Sequence, residues 1–592
     1  HKCLQTAGDD QLQGAEDCLV LNVWRPQGTD EHSNLPVMFW IHGGAFTGGS
    51  GGAIEDSSNP YDGANLATQG VLVVSINYRL GPMGFARVDE GIGPGTGRLN
   101  GLMDQIVALQ WARDNIAAYG GSPQQITVFG ESAGSLSICM LMVSPLAAGL
   151  FHQAIMESGA CTHGSYWGVK DATDDDEEHP KLAALRAMSA EQIFASVPAG
   201  PSIDGYVLPK HPLEIMDDGG LNVNSVLLGG NSFDGLTPWL PENALPNSQS
   251  RFHETMMTLL GANGFSWSGA SALLEQYTPQ RYLTDPQTGD PYYRAAVTQC
   301  DGDLAVVCPT KWLHQKLGQR GKTARMYHFA YGPSCSDKAD HEWGTASPYR
   351  SSAQQGGGGW ASHAAEIAYV FGNSFTWGCD GSAEGSESSA CQSCDPRTED
   401  RYGEGVSLRL TTAMQQLWTS FAISGVPRAD PELFTELGAE ESEQWPPCGA
   451  EAKVGSSKDE PVLILGANKI GIERGFKDDD CSLMHEHVYE TRGEGLPWLK
   501  GFAMALLCLG GMVALIHKQL LPNHIRLPGS PKTQLPEQVT CELTARVATA
   551  AALLCGGLLV FVPWVAPQGA LPFCLAACMQ CALLHREPRV ML

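Results

Sequence analysis

Residues 126–134 read Ile-Thr-Val-Phe-Gly-Glu-Ser-Ala-Gly. An apolar run, Ile126–Phe129, meets a Gly-x-Ser-x-Gly pentad at Gly130, and a helical pattern, Ser135–Met142, follows. A strand feeding a helix through so tight a turn needs small residues on either side of the serine. It holds the serine strained at the top edge of a sheet with its hydroxyl presented. The helix N-terminus behind the turn favours negative charge developing there. Ser132 is therefore the candidate nucleophile. A hydroxyl nucleophile must lose its proton as it attacks, and the oxyanion it makes needs hydrogen-bond donors. One donor is the N–H of Ala133. The others come from an earlier loop: Val37–Ile41 (VMFWI) runs into His42-Gly43-Gly44-Ala45-Phe46, whose glycines let the backbone approach a substrate oxygen. Gly44 and Ala45 are assigned as those donors, and His42 as structural.

Further apolar runs of strand length lie at Val71–Tyr78, Ser225–Leu228, Arg325–Tyr331 and Pro461–Leu465. Continuous rather than alternating apolar runs suit strands buried on both faces. Helical patterns at Leu99–Tyr119 and Val406–Ser424 fall between them. The alternation predicts an α/β fold, a mostly parallel central sheet with helices on both faces. Three stretches, Asp171–Glu178, Gln355–Gly359 and Gly381–Ser389, read as solvated loops. Of 592 residues, 43% are hydrophobic and 17% charged, which excludes a disordered chain. A net charge of −27 excludes nucleic acid as a partner.

The C-terminal region differs. Gly501–Ile516 carries no charge, and a second apolar run spans Val547–Ala566. Together they predict a globular domain over 1–490 and a membrane-associated tail over 491–592, with candidate transmembrane helices at about 496–516 and 547–566. A third run, Ala570–Leu584, is shorter. The basic excess between the first two runs (Lys518, Arg526, Lys532, Arg546) biases that loop to the cytoplasm. The globular domain is then expected outside the cell or in the secretory lumen. The first residue is His1, so a processed or truncated chain is expected. The 18 cysteines divide into twelve before residue 490 and six in the tail. Metal ligation by Cys391 and Cys394 would need a second pair, and only Cys379 is near, so disulfides are expected. The pairing of Cys335, Cys379, Cys391, Cys394 and Cys448 stays open, and no Asn-x-Ser/Thr sequon occurs.

From about residue 16 to 490 the chain resembles the type-B carboxylesterase and cholinesterase family of α/β-hydrolases. The marks are Glu16–Asn22 (EDCLVLN), His42–Phe46 (HGGAF), Asn77–Gly81 (NYRLG), Asn100–Gln105 (NGLMDQ) and Phe129–Gly134 (FGESAG). The resemblance implies an ester hydrolase with a serine–carboxylate–histidine triad, a small-molecule or lipid ester as substrate, and no metal or organic cofactor. It places the triad acid at Asp234 within Gly229–Gly235 (GGNSFDG), where most relatives carry glutamate. It places the base at His363, ahead of Glu366–Gly372 (EIAYVFG). The order Ser132, Asp234, His363 is that of α/β-hydrolases. Arg79 and Asp104 match the family's buried ion pair, Glu131 is expected to tune the pocket, and the partner of Glu16 would lie upstream. The family's disulfides would join Cys3 to Cys18 and Cys308 to Cys481. Its N-terminal strands are missing, and its middle disulfide loop has no cysteine pair. Non-catalytic, neuroligin-like adhesion members are the alternative. They lack the nucleophile, whereas all three triad positions here are chemically competent. A cholinesterase is not expected, because residues 4–17 hold no aromatic to stack on a quaternary ammonium. The oligomeric state is not legible.

Overall fold

A computed structural model describes residues 1–6, 11–52, 59–86, 99–162, 182–235, 246–263, 265–281, 293–331, 361–373, 405–437, 445–448, 460–466 and 470–493. The fold described is that of the unit His1–Gly493. The two expected transmembrane runs, the three solvated stretches and Cys335, Cys379, Cys391 and Cys394 lie outside the described residues. Among the described residues no helix is long and apolar enough to cross a membrane.

A two-stranded hairpin, β1 (Gln5–Thr6) and β2 (Leu12–Gln13), opens the chain. The main sheet follows with β3 (Leu21–Trp24), β4 (Leu35–Ile41), β5 (Leu72–Ile76), β6 (Gly121–Glu131), β7 (Gln153–Glu157), β8 (Ser225–Asn231), β9 (Thr323–Ala330), β10 (Pro461–Gly466) and β11 (Ile470–Arg474). The spatial order is β11-β10-β9-β8-β7-β6-β4-β5-β3. Pairing is parallel from β5 through β10, and only the edge strands β3 and β11 run antiparallel to their neighbours.

The unbroken apolar run of β4 follows from burial on both faces. Val37, Phe39 and Ile41 point into one core, with Leu102, Ile106 and Leu109 of α1 (Asn100–Asn115). Met38 and Trp40 point into the other. α2 (Ala133–Leu141) follows β6 and is buried along its whole length. α3 (Cys308–Gln319) precedes β9. α4 (Val406–Ser424) covers the second face with Leu410, Met414, Trp418 and Phe421, and ends at Gly425 in a left-handed turn of φ 73°. Burying an aromatic or aliphatic side chain of this size contributes about 1.5–3 kcal/mol, so the two cores fix the sheet from both sides.

Strand β5 stops short of the expected Tyr78. Asn77 turns away to donate to Cys18 O at 2.9 Å, and Tyr78 donates its hydroxyl to His42 O at 2.8 Å. The Asn77 side chain thereby ties the strand end to the first disulfide, and Tyr78 ties it to the loop after β4. The Arg79–Asp104 pair is present and bidentate, at 2.8 and 2.7 Å. It ties the end of β5 to the first turns of α1.

Candidate active site

Ser132 stands between β6 and α2 at φ 55° and ψ −118°, a region L-residues rarely adopt. The turn is steric as well as strained. A Cβ added at Gly134 would lie 2.0 Å from Ile41 O, so only glycine lets α2 start this close to β4. Ser132 occupies the N-cap position, yet its side chain caps nothing, which leaves the hydroxyl for chemistry. Its backbone N–H donates to Glu157 O at 2.8 Å, holding the turn to the end of β7.

Strain of this kind costs about 1–3 kcal/mol per residue and persists where surrounding structure over-determines it. Seven described non-glycine residues have positive φ, and five of them lie in the loops of this site: Ala45, Phe46, Ser132, Ser158 and Ala364. Gly44, at φ 102°, and Ala45 follow β4, and their N–H groups donate to no backbone carbonyl among the described residues. Ala133 is the first residue of α2, whose leading N–H groups have no intrahelical partner. These are the three N–H groups assigned to the oxyanion from the sequence. His42 is buried under them and stacks on Tyr78, with ring centroids 4.4 Å apart. Burial lowers its imidazole to about 4, so at neutral pH the uncharged ring donates from Nδ1 to Gly43 O at 2.7 Å. It acts as a brace, as read from the sequence.

Asp234 and His363 sit on two loops bound together across 129 positions. Asp234 Oδ1 meets His363 Nδ1 at 2.6 Å, and Asp234 Oδ2 accepts from the Asn231 N–H at 2.6 Å. Phe233 N–H donates to Ala361 O at 2.8 Å, Ala361 N–H to Ser232 Oγ at 2.9 Å, and Asn231 Nδ2 to Ser362 O at 2.8 Å. Downstream of His363, Phe371 packs on Phe129 of β6 and on Trp40 of β4, at centroid distances of 5.6 and 5.0 Å. The segment after His363 is thus anchored to β6, the strand that leads into Ser132.

No hydrogen bond joins Ser132 Oγ to His363 in this arrangement. His363 Nε2 lies 3.1 Å from Glu131 Oε1, close but poorly directed, so the contact is Coulombic rather than a hydrogen bond. Burial acts to lower the His363 imidazole. Glu131, and then the hydrogen bond donated to Asp234, outweigh that and raise it to about 10. Burial pushes the Glu131 carboxyl up to about 8, against the pull of His363.

Two further buried carboxylates surround the pair, and the sequence reading gave neither a role. Glu366 accepts from Ser158 Oγ at 3.1 Å and from Asn231 Nδ2 at 2.5 Å, and burial, then Asp234, raise it to about 7. Glu157 accepts from Trp418 Nε1 at 2.8 Å, and burial, then Glu366, push it well above the carboxylate range. Glu366 had one sequence signal, its place three residues after His363. Glu157 ends a short strand with polar ends and had none.

Bridges join Cys3 to Cys18 and Cys308 to Cys481. A third, Cys139–Cys161, pairs two cysteines to which the resemblance assigns no partner. Cys448 is buried. Among the described residues, no group of three or more His, Cys, Asp or Glu could hold a metal ion. A cavity of about 570 Å³ lies between the first disulfide and Met83, Met188 and Ile193. Ser132, Asp234 and His363 do not line it.

A mostly parallel sheet carrying a strained serine between strand and helix, with a bonded carboxylate and histidine on loops after later strands, is the architecture of an α/β-hydrolase. The chain belongs to the carboxylesterase family, which it matches over residues 1–175 and 177–484. It is 34% identical to Carboxylesterase 1C of Mus musculus over 55% of this chain and 61% of that protein. It is 30% identical to the bile salt-activated lipase of Mus musculus, over 72% of this chain and 69% of that protein. It is 38% identical to the para-nitrobenzyl esterase of Bacillus subtilis (strain 168), over 42% of this chain and 53% of that protein. The matched region therefore spans about three fifths of the length of Carboxylesterase 1C.

Proposed function

We propose that the chain is a serine carboxylic-ester hydrolase working through an acyl-enzyme. Ser132 attacks the ester carbonyl carbon. His363 Nε2 takes the hydroxyl proton and returns it to the leaving alcohol. Asp234 holds Nδ1–H and stabilises the imidazolium. The N–H groups of Gly44, Ala45 and Ala133 receive the oxyanion. Water, activated by the same imidazole, then releases the acid. For the first step His363 Nε2 must exchange Glu131 for Ser132 Oγ, and such bonds commonly tighten only when substrate is seated.

The observation that carries this reading is the 2.6 Å Asp234–His363 bond on loops anchored beside the strained serine. Relatives named as esterases and a lipase support the same class. The adhesion alternative is not favoured, since it needs a site without a nucleophile. Ser132→Ala is expected to abolish turnover of p-nitrophenyl esters while circular dichroism stays that of the parent. A folded Ala variant that still turns over would sink the assignment.

Three disulfides support an oxidising location, outside the cell or in the secretory lumen. The uncharged runs at 501–516 and 547–566 support membrane anchoring by the tail. Carbonate extraction of expressing cells is expected to leave the full-length chain in the pellet. Its release into the supernatant would refute the anchor.

A further inference from the structure

The turn after β7 comes closer to the nucleophile's backbone than its side chains can secure. Ser158 sits at φ 52°. A Cβ added at Gly159 would lie 2.7 Å from Ser132 O, so this position admits no side chain. Ala160 follows, with a single methyl. Two small residues bury little apolar surface, and burial scales with area. Hydrophobic contact therefore gives this turn little hold on the helix it faces. Three ties replace it. Ser132 N–H donates to Glu157 O at 2.8 Å, and Ser135 Oγ donates to Gly159 O at 2.6 Å. The third tie is covalent: Cys139 of α2, two helical turns beyond Ser132, is bridged to Cys161. Both sulfurs are buried in the core. Beyond the bridge, Thr162 Oγ1 donates to Pro309 O at 3.5 Å, at the start of α3.

We propose that the Cys139–Cys161 bridge is a positioning element of the ester-hydrolysing site. It clamps α2 to the turn after β7 and so holds Ser132 in the strained geometry from which it attacks. The inference rests on the proposed triad. The two sulfurs touch no reacting atom and act through the backbone of Ser132 and Ala133. A misplacement of about 1 Å can cost on the order of 100-fold in rate. Loosening this clamp therefore lowers kcat, whereas substrate affinity, set by other loops, stays in place.

The test is the double substitution Cys139→Ser/Cys161→Ser, assayed with a p-nitrophenyl ester well below the variant's melting temperature. Rates are normalised to the folded fraction. The expected result is a fall in kcat of about tenfold or more, with KM changed less than about twofold. The control is Cys308→Ser/Cys481→Ser, which is expected to lower the melting temperature and leave kcat unchanged. If the first pair lowers only the melting temperature, the bridge is merely structural and the proposal is overturned. Should the serine pair not fold, Cys139→Val/Cys161→Ala fills the site without a bond and carries the same measurement. Failure of both pairs to fold makes the bridge a folding requirement and also overturns the proposal. Activity in Ser132→Ala would instead overturn the triad, so the two failures are distinguishable.

Discussion

Glu131→Gln removes a buried charge while keeping the side chain's shape. His363 Nε2 lies 3.1 Å from Glu131 Oε1, and at an effective dielectric of about 20 the attraction on an imidazolium is about 5 kcal/mol. That corresponds to a few thousandfold in proton affinity at most. The realised effect is smaller. The Glu131 carboxyl, raised to about 8, is fully charged only above that pH, and Asp234 continues to favour the protonated ring. The sign is unambiguous. A general base must be neutral, so activity is lost as pH falls through the imidazole's value, which Glu131 raises. Removing that carboxylate carries the acid limb of the kcat/KM profile to lower pH, by tenfold or more in proton concentration. The assay is hydrolysis of a p-nitrophenyl ester from pH 5 to about 11, corrected for the uncatalysed rate, with circular dichroism at each end to confirm folding. An acid limb that stays in place, or moves to higher pH, would refute the claim that Glu131 governs the base.

Asp234→Asn is expected to lower kcat by about 10⁴-fold, because the imidazole loses its orienting carboxylate and favours the wrong tautomer. Asp234→Glu, the residue most relatives use, should retain more activity. An Asn variant as fast as the parent would remove Asp234 from the triad. Glu460, at the start of β10, is a buried carboxyl that burial raises to about 7, against Gln315 and Lys311. A raised value means stability that is complete below the ordinary carboxylate range and lost as pH rises through 7, worth about 3 kcal/mol by pH 8. Glu460→Gln should therefore raise the urea midpoint at pH 8 and leave it nearly unchanged at pH 5. Equal shifts at both pH values would show that ionisation of Glu460 is not the cause.

What could be read from the sequence follows the range of the physics involved. The turn at Ser132 was legible because its cause is local: small residues between an apolar strand and a helix. Strands β4, β8, β9 and β10 were legible as continuous apolar runs. β7, Gln153–Glu157, was missed because two of its five residues are polar and only its neighbours β6 and β8 bury it. β6 runs from Gly121 rather than Ile126, since pairing with Leu35 and a register shift extend it beyond the apolar core. Asp234 and His363 were found only through the family's motifs, because no local pattern predicts a contact across 129 positions. Cys139–Cys161 was not found at all. Cysteine pairing is decided by which turns the packed sheet brings within reach, and neither residue has a flanking signature.

The order of strands in the sheet also sets a timetable. From β7 to β11 each new strand joins the growing edge in the order it is synthesised. The half that holds Ser132, β3 to β7, is complete by Glu157. Asp234 arrives with the next strand, and His363 follows 129 residues later. At roughly 5–20 residues per second that interval lasts about 6–26 s. Throughout it the emerging chain holds Ser132 and Asp234 but not His363, the base of the proposed triad. His363 therefore completes the proposed triad only after β3 to β9 have been synthesised, with β10 and the edge strand β11 still to come.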